Sequence, residues 1–140
     1  MLQHHLPAAN TEGNPVSILI VEDDFALRET YTAIMKMSGY TVESVGTGPQ
    51  AIRLLPSLRP SVVILDMNLS GGYSGTVVMA FIRSHHALQD TRVIVVSGKA
   101  GADINASFMK ADRFLPKPVS IQDLIVSVMA VQGNNTHSIE

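Results

Sequence analysis

The 140-residue sequence contains no cysteine. That absence excludes disulfides, thiolate metal sites and a cysteine nucleophile together. An excess of either charge is also lacking, since 10 Lys+Arg stand against 12 Asp+Glu for a formal −2. Counterion-release binding to nucleic acid needs clustered positive charge, so no direct DNA binding is expected. Long apolar runs are missing as well. The longest, Val77–Ile82, falls far short of the ~18 residues of a spanning helix. The opening MLQHHLPAANTEGNP lacks the apolar stretch of a secretory signal. No membrane partner and a cytoplasmic location are therefore expected. The histidine pairs His4-His5 and His85-His86 are adjacent rather than at i,i+4, which argues against zinc. The methionines are expected mostly in the core.

With 46% apolar residues, a chain of this length makes one domain with a core that needs no covalent staples. Residues 1–15, with Pro7, Gly13 and Pro15, read as a flexible arm, 16–131 as the folded domain and 132–140 as a frayed tail. Apolar runs at Ile18–Val21, Val62–Leu65 and Val93–Val96 fit strands covered on both faces. Thr41–Val45 alternates and suits an edge, and Arg113–Leu115 is a weaker strand candidate. Helical spacing follows Asp24 (Leu27, Tyr31, Ile34, Met35), with Gly39 as a stop. Pro49 suits a first helical position, and Pro56 is expected to end that helix. Further helices are expected from Gly75 to about Ser84, from Ala102 to Lys110, and after the Ser120–Asp123 capping pair. Five strand–helix units specify an α/β fold, a parallel sheet with helices on both faces.

In such sheets, ligands bind beyond the carboxyl ends of the strands. Glu22-Asp23-Asp24 come after the first run, Asp66-Met67-Asn68 after the third, Ser97-Gly98-Lys99 after the fourth, and Pro116-Lys117-Pro118 after the last. Singly, each has an ordinary explanation: a helix cap, a turn former, a satisfied hydroxyl, a solvated lysine. Their convergence on one edge points to a site. Glu22, Asp23 and Asp66 crowded together would repel unless a cation intervened, and Mg2+ takes hard oxygen ligands while keeping waters for a phosphate. A carboxylate so held and faced by Lys117 is poised to attack phosphorus. Ser97 can donate to a phosphoryl oxygen.

With those residues in place, the sequence resembles the receiver domains of two-component response regulators over residues 17–131. The resemblance is carried by Ile18-Leu19-Ile20-Val21-Glu22-Asp23, Val63-Ile64-Leu65-Asp66, Val93-Ile94-Val95-Val96-Ser97-Gly98 and Lys117-Pro118. It implies a doubly wound (βα)5, flavodoxin-like fold with a 2-1-3-4-5 sheet, and Asp66 as phosphoacceptor. Asp23, Asp66 and the backbone carbonyl of Asn68 would hold Mg2+ or Mn2+, with Glu22 supporting. Ser97 would be the switch hydroxyl, Lys117 the phosphate-contacting lysine and Phe114 the rotating aromatic. The implied donor is a sensor histidine kinase or phosphotransfer protein. The implied output is a change in the surface of the fourth helix, fifth strand and fifth helix, read by a downstream protein that the sequence does not name. Catalysis would be confined to the chain's own phosphorylation and dephosphorylation. Lys99 would tune phosphoryl lifetime. With Met1 and no output domain after residue 131, a stand-alone receiver is expected, or one cut from a hybrid kinase.

After Asp66 the sequence runs Met67-Asn68-Leu69-Ser70-Gly71-Gly72-Tyr73-Ser74-Gly75, without the family's usual proline and one residue longer. The Ser97–Lys117 segment is short, so a trimmed fourth helix is expected. Gly46-Thr47-Gly48-Pro49-Gln50-Ala51 matches G-x-G-x-x-A, but it comes after the alternating strand, and Pro49 removes an N–H from the turn that would cradle pyrophosphate. A haloacid-dehalogenase-like phosphatase would need an acid where Asn68 stands. A degenerate receiver acting only as a binding module would not need the acceptor-site residues that are present.

Overall fold

The computed structural model describes residues 17–70, 74–98 and 110–137, with side chains as far as Gln132. In chain order the elements are β1 (Ser17–Val21), α1 (Phe25–Met37), β2 (Thr41–Val45), α2 (Gly48–Leu58), β3 (Val62–Asp66) and α3 (Gly75–Ser84). They continue with β4 (Arg92–Ser97), β5 (Arg113–Pro116) and the C-terminal helix α4 (Ile121–His137). The strands form one sheet in the order β2-β1-β3-β4-β5, every neighbouring pair parallel. This is the doubly wound order that the receiver-domain resemblance implies. The helix expected from Ala102 lies, apart from Lys110, outside the described residues. A 3-10 turn at His86–Leu88 had no periodic signal in the sequence.

The central strands are apolar throughout because each face of the sheet has its own core. Ile18, Ile20, Val62, Ile64, Ile94 and Val96 face Tyr31 and Met35 of α1 and Leu124 and Val128 of α4. The alternate residues Leu19, Val21, Val63, Leu65, Val93 and Val95 face Ala51 and Leu55 of α2 and Val78, Met79 and Ile82 of α3. At the sheet edge, β2 exposes Thr41 and Glu43, which accounts for its alternation. Met35 and Met79 are buried, but Met37 and Met129 are exposed. Each lies two positions along its helix from a buried residue, on a flank that the sheet does not cover.

Helix ends obey local chemistry. Asp24 caps α1 by accepting from the Leu27 N–H at 3.0 Å, and Gly39 supplies the left-handed turn after it (φ 96°). Thr47 caps α2 by accepting from the Gln50 N–H at 3.2 Å, while the Gln50 side chain accepts from the Gly46 N–H at 3.1 Å. Pro56 does not end α2 as expected, since the helix continues to Leu58. Only the final turn lies beyond Pro56, and Arg59, left-handed at φ 47°, closes it by donating to the Leu55 carbonyl at 2.9 Å. The backbone of α4 is helical to His137, so residues 132–137 extend the helix where the sequence suggested a tail. Propagation gains one backbone bond per added residue once a helix exists.

At the opposite end from the carboxylates, Arg83 of α3 donates to the carbonyls of Thr91 and Lys110 and to Asp112 Oδ2, each at 3.0 Å. Asp112 Oδ2 also accepts from the Val93 N–H at 2.7 Å. One guanidinium thus ties α3 to the starts of β4 and β5.

Helix α3 begins at Gly75, where an added Cβ would lie 2.6 Å from both the Asp66 carbonyl oxygen and Met67 Cα. Both are backbone atoms and cannot rotate aside. At Gly98 the nearest neighbour of such a Cβ is Lys117 Cβ at 3.8 Å, an ordinary separation. Gly75→Ala is therefore expected to destabilise by about 1–3 kcal/mol, and Gly98→Ala by within about 0.5 kcal/mol. Urea unfolding of the two variants checks the difference.

Candidate functional site

The register places the candidate residues side by side. Val21 pairs with Leu65, Asp66 with Val96 and Ser97 with Pro116. Glu22, Asp66, Ser97 and Lys117 therefore emerge together at the carboxyl edge of β1, β3, β4 and β5. The Lys117 N–H donates to the Ser97 carbonyl at 2.8 Å, and the Lys117–Pro118 peptide is cis.

Glu22 and Asp66 are both buried, at 1% and 2% exposure. Lys117 Nζ lies 3.1 Å from Glu22 Oε1 and 3.6 Å from Asp66 Oδ2. Glu22 Oε2 accepts from the Asp24 N–H at 3.1 Å, and Asp66 Oδ1 from the Asn68 N–H at 2.9 Å. Glu22 Oε1 has the lysine as an ion-pair neighbour but no aligned hydrogen bond. Asp23 is more accessible, and its Oδ2 accepts from the N–H and hydroxyl of Ser70 at 3.2 and 3.0 Å. Ser97 is buried, its Oγ accepting from Asn68 Nδ2 at 3.4 Å.

The electrostatics result from this packing. Burial pushes the Glu22 carboxyl up to about 7, the Asp66 charge adding to the rise against the opposing Asp24 N–H and Lys117. Burial also works against ionising Asp23, but the Ser70 hydrogen bonds outweigh it and hold that carboxyl below its ordinary value. For Lys117, burial disfavours the charge, yet Asp66 and Glu22 raise its pKa above the ordinary lysine value.

One ligand oxygen from each of Glu22, Asp23 and Asp66 can be chosen so that all lie within 4.8 Å of one another. The donors are hard oxygens, as Mg2+ or Mn2+ requires. Three carboxylates share this edge with one ammonium, that of Lys117, an excess of negative charge that a cation would balance. The residues fit a divalent ion.

Of the residues singled out in the sequence, Glu22, Asp23, Asp66, Asn68, Ser97 and Lys117 meet at this edge. Phe114 does not join them. It is half-buried on β5, paired with Val95 and packed on the core beneath α2 and α3. Lys99 lies outside the described residues. The G-x-G-x-x-A match forms the helix cap of Thr47 and Gln50. Sequence reasoning missed Ser70, whose bonds to Asp23 span 47 positions, and Arg28, whose Nη1 donates to the Glu22 carbonyl at 2.8 Å. Neither belongs to a local motif.

Comparison with known proteins gives a consistent picture. Residues 18–129 match the response regulator receiver domain. The response regulator MprA of Mycolicibacterium vanbaalenii is 31% identical over 124 residues, 87% of this chain and 52% of the relative. The chain thus spans about half the length of the curated relatives it first matches. A signal receiver domain described as that of a Luxo repressor protein of Vibrio parahaemolyticus superposes with a TM-score of 0.79 at 28% identity, covering 88% of this chain and 94% of that one. The receiver domain of a sensor histidine kinase from Pseudomonas aeruginosa, with magnesium coordinated in its active-site cleft, gives 0.78 at 23% identity, covering 84% and 98%.

The raised Glu22 pKa carries a stability consequence. Between its ordinary value of 4.5 and about 7, folded Glu22 keeps a proton that the unfolded chain has lost, so stability falls as pH rises through that window. In divalent-free buffer the urea midpoint is expected to decline from pH 5 to pH 7. Glu22→Gln should flatten the decline, and a slope unchanged in that variant would contradict the assignment.

Proposed function

Because this chain belongs to the response regulator receiver domain family, we propose that Asp66 accepts a phosphoryl group from a phosphohistidine of a sensor histidine kinase or phosphotransfer protein. The observation that carries this reading is the placement of Lys117 Nζ against both Glu22 and Asp66, beside the three converging carboxylates. Glu22, Asp23, Asp66 and the Asn68 carbonyl would hold Mg2+ or Mn2+, a reading supported by the magnesium in the Pseudomonas receiver.

An Asp66 carboxylate oxygen forms the new P–O bond, while the P–N bond of the donor breaks and its electron pair returns to the imidazole. No general base is needed, because the nucleophile is already an anion. Neutralising the charge of the phosphoryl oxygens is the chemistry the divalent ion supplies when bound. Lys117 matches a second phosphoryl oxygen with its ammonium, which already lies against Asp66. Ser97, buried beside Asn68, donates to a third oxygen. Water entering at the same edge then forms a bond to phosphorus as the Asp66 O–P bond breaks, releasing inorganic phosphate and returning Asp66 to the carboxylate.

The output is a two-state shift. An equilibrium moves only by differential contacts, and here these are the bonds from Ser97 and Lys117 to the new phosphoryl oxygens. Drawing Ser97 toward Asp66 vacates space beside β4, into which Phe114 turns from the neighbouring strand. The surface around β5 and α4 changes with it, and a downstream protein reads that surface.

Incubation with acetyl phosphate and Mg2+ is expected to add one phosphoryl group by intact-mass measurement, with none added to Asp66→Asn or in the presence of a chelator. Ser97→Ala should still be phosphorylated but lose most of the difference between the amide spectra of the two forms. Phosphorylation of Asp66→Asn at the wild-type level would overturn the acceptor assignment.

A further inference from the structure

We propose that Arg28 and Gly46 form a latch that fixes the Glu22-Asp23 turn for divalent-ion binding, Arg28 acting as a positioning residue. The proposal rests on the ion-binding reading of the carboxylate edge given above. Between β1 and α1 the chain has only Glu22, Asp23 and Asp24, so the orientation of one peptide sets two of the converging carboxylates. The Glu22 N–H is held by the Val45 carbonyl at 3.1 Å. Its carbonyl is held from the other side by Arg28 Nη1 at 2.8 Å. The Val45 bond fixes the Val21–Glu22 peptide and the Arg28 bond the Glu22–Asp23 peptide, so neither unit can rotate without breaking a hydrogen bond.

Gly46 makes this contact possible. Its φ is not positive, Gly39 being the positive-φ glycine among the described residues, so conformation does not demand glycine there. Space does: an added Cβ would lie 2.8 Å from Arg28 Nη1 and 3.4 Å from Cζ. The guanidinium occupies the place a side chain would take. On another side, Arg28 Cζ lies 5.3 Å from the centre of the Phe25 ring, within cation–π range. This contact also gives a reason for an aromatic ring that is 67% exposed. The first glycine of the G-x-G-x-x-A pattern, which no nucleotide explains, thereby gains a function.

Groups that orient the ligands of a metal commonly change its affinity by about tenfold to a hundredfold when removed. Gly46→Ala is the more telling variant. The atom it crowds is the far end of a flexible side chain, so the guanidinium can swing away, leaving the protein folded and the Glu22 carbonyl without its donor. Arg28→Met keeps the apolar stem and removes the donor directly.

The test is calorimetric titration of the wild-type chain, Arg28→Met, Gly46→Ala and the double variant with Mn2+. Urea midpoints and acetyl-phosphate phosphorylation rates across Mg2+ concentration accompany it. Each single variant is expected to bind Mn2+ about tenfold more weakly or worse, and the double variant no more weakly than Arg28→Met. The Mg2+ concentration for half-maximal phosphorylation should rise while the rate at saturating Mg2+ stays at the wild-type value. A merely structural bond would move the urea midpoint and leave the Mn2+ affinity unchanged, and that result overturns the latch alone. Losses that add in the double variant overturn the coupling of Arg28 to Gly46. Absence of Mn2+ binding by the wild-type chain overturns the ion reading and the latch together.

Discussion

The contact on which the arrangement turns is the Lys117 ammonium lying against two buried carboxylates, Glu22 and Asp66. Two acids at the end of adjacent strands are unfavourable in a nearly dry setting. The fold accepts them because β5 delivers a cation to the same edge from two strands away, and because backbone N–H groups of Asp24 and Asn68 each take one oxygen. The compensation is incomplete, since one ammonium faces an edge where Asp23 adds a third carboxylate. That residual deficit makes the edge receptive to a further positive charge, and it is a property of packing as much as of sequence.

The two cores give the edge its rigidity. Strands β1, β3 and β4 are clamped from both faces by apolar side chains, so their carboxyl ends are fixed relative to one another. Gly75 brings the start of α3 against the Asp66 carbonyl with no side chain between them. The strand end and the helix start are thereby in direct backbone contact, so neither can shift without the other.

Much of this was legible in the sequence. Continuous apolar runs at Ile18, Val62 and Val93 announced strands buried on both faces, and the alternation at Thr41 announced the edge. The carboxylates, Ser97 and Lys117 could be found from the positions immediately after each run, because a parallel sheet gathers those positions. The order β2-β1-β3-β4-β5 came from family resemblance, since periodicity cannot rank strands. Pro56 misled because a proline in a last turn removes little. Arg28 and Ser70 stayed hidden because their partners are a backbone carbonyl and a distant aspartate. Which carbonyl a long side chain reaches, or which loop a carboxylate meets, is decided only by the assembled fold.

The sheet has two edge strands, β2 and β5, and the second is tied to the site. β5 has four residues, a single hydrogen-bonded neighbour and exposed residues at both ends, and it is the strand that leads into Lys117. Peripheral strands with few buried contacts open with less free energy than central ones. The cation that balances the carboxylates is thus mounted on an edge strand, where opening costs less than at the centre of the sheet. Hydrogen–deuterium exchange of the β5 amides, relative to those of β1, would then serve as a gauge of how firmly the charges at the neighbouring edge hold one another.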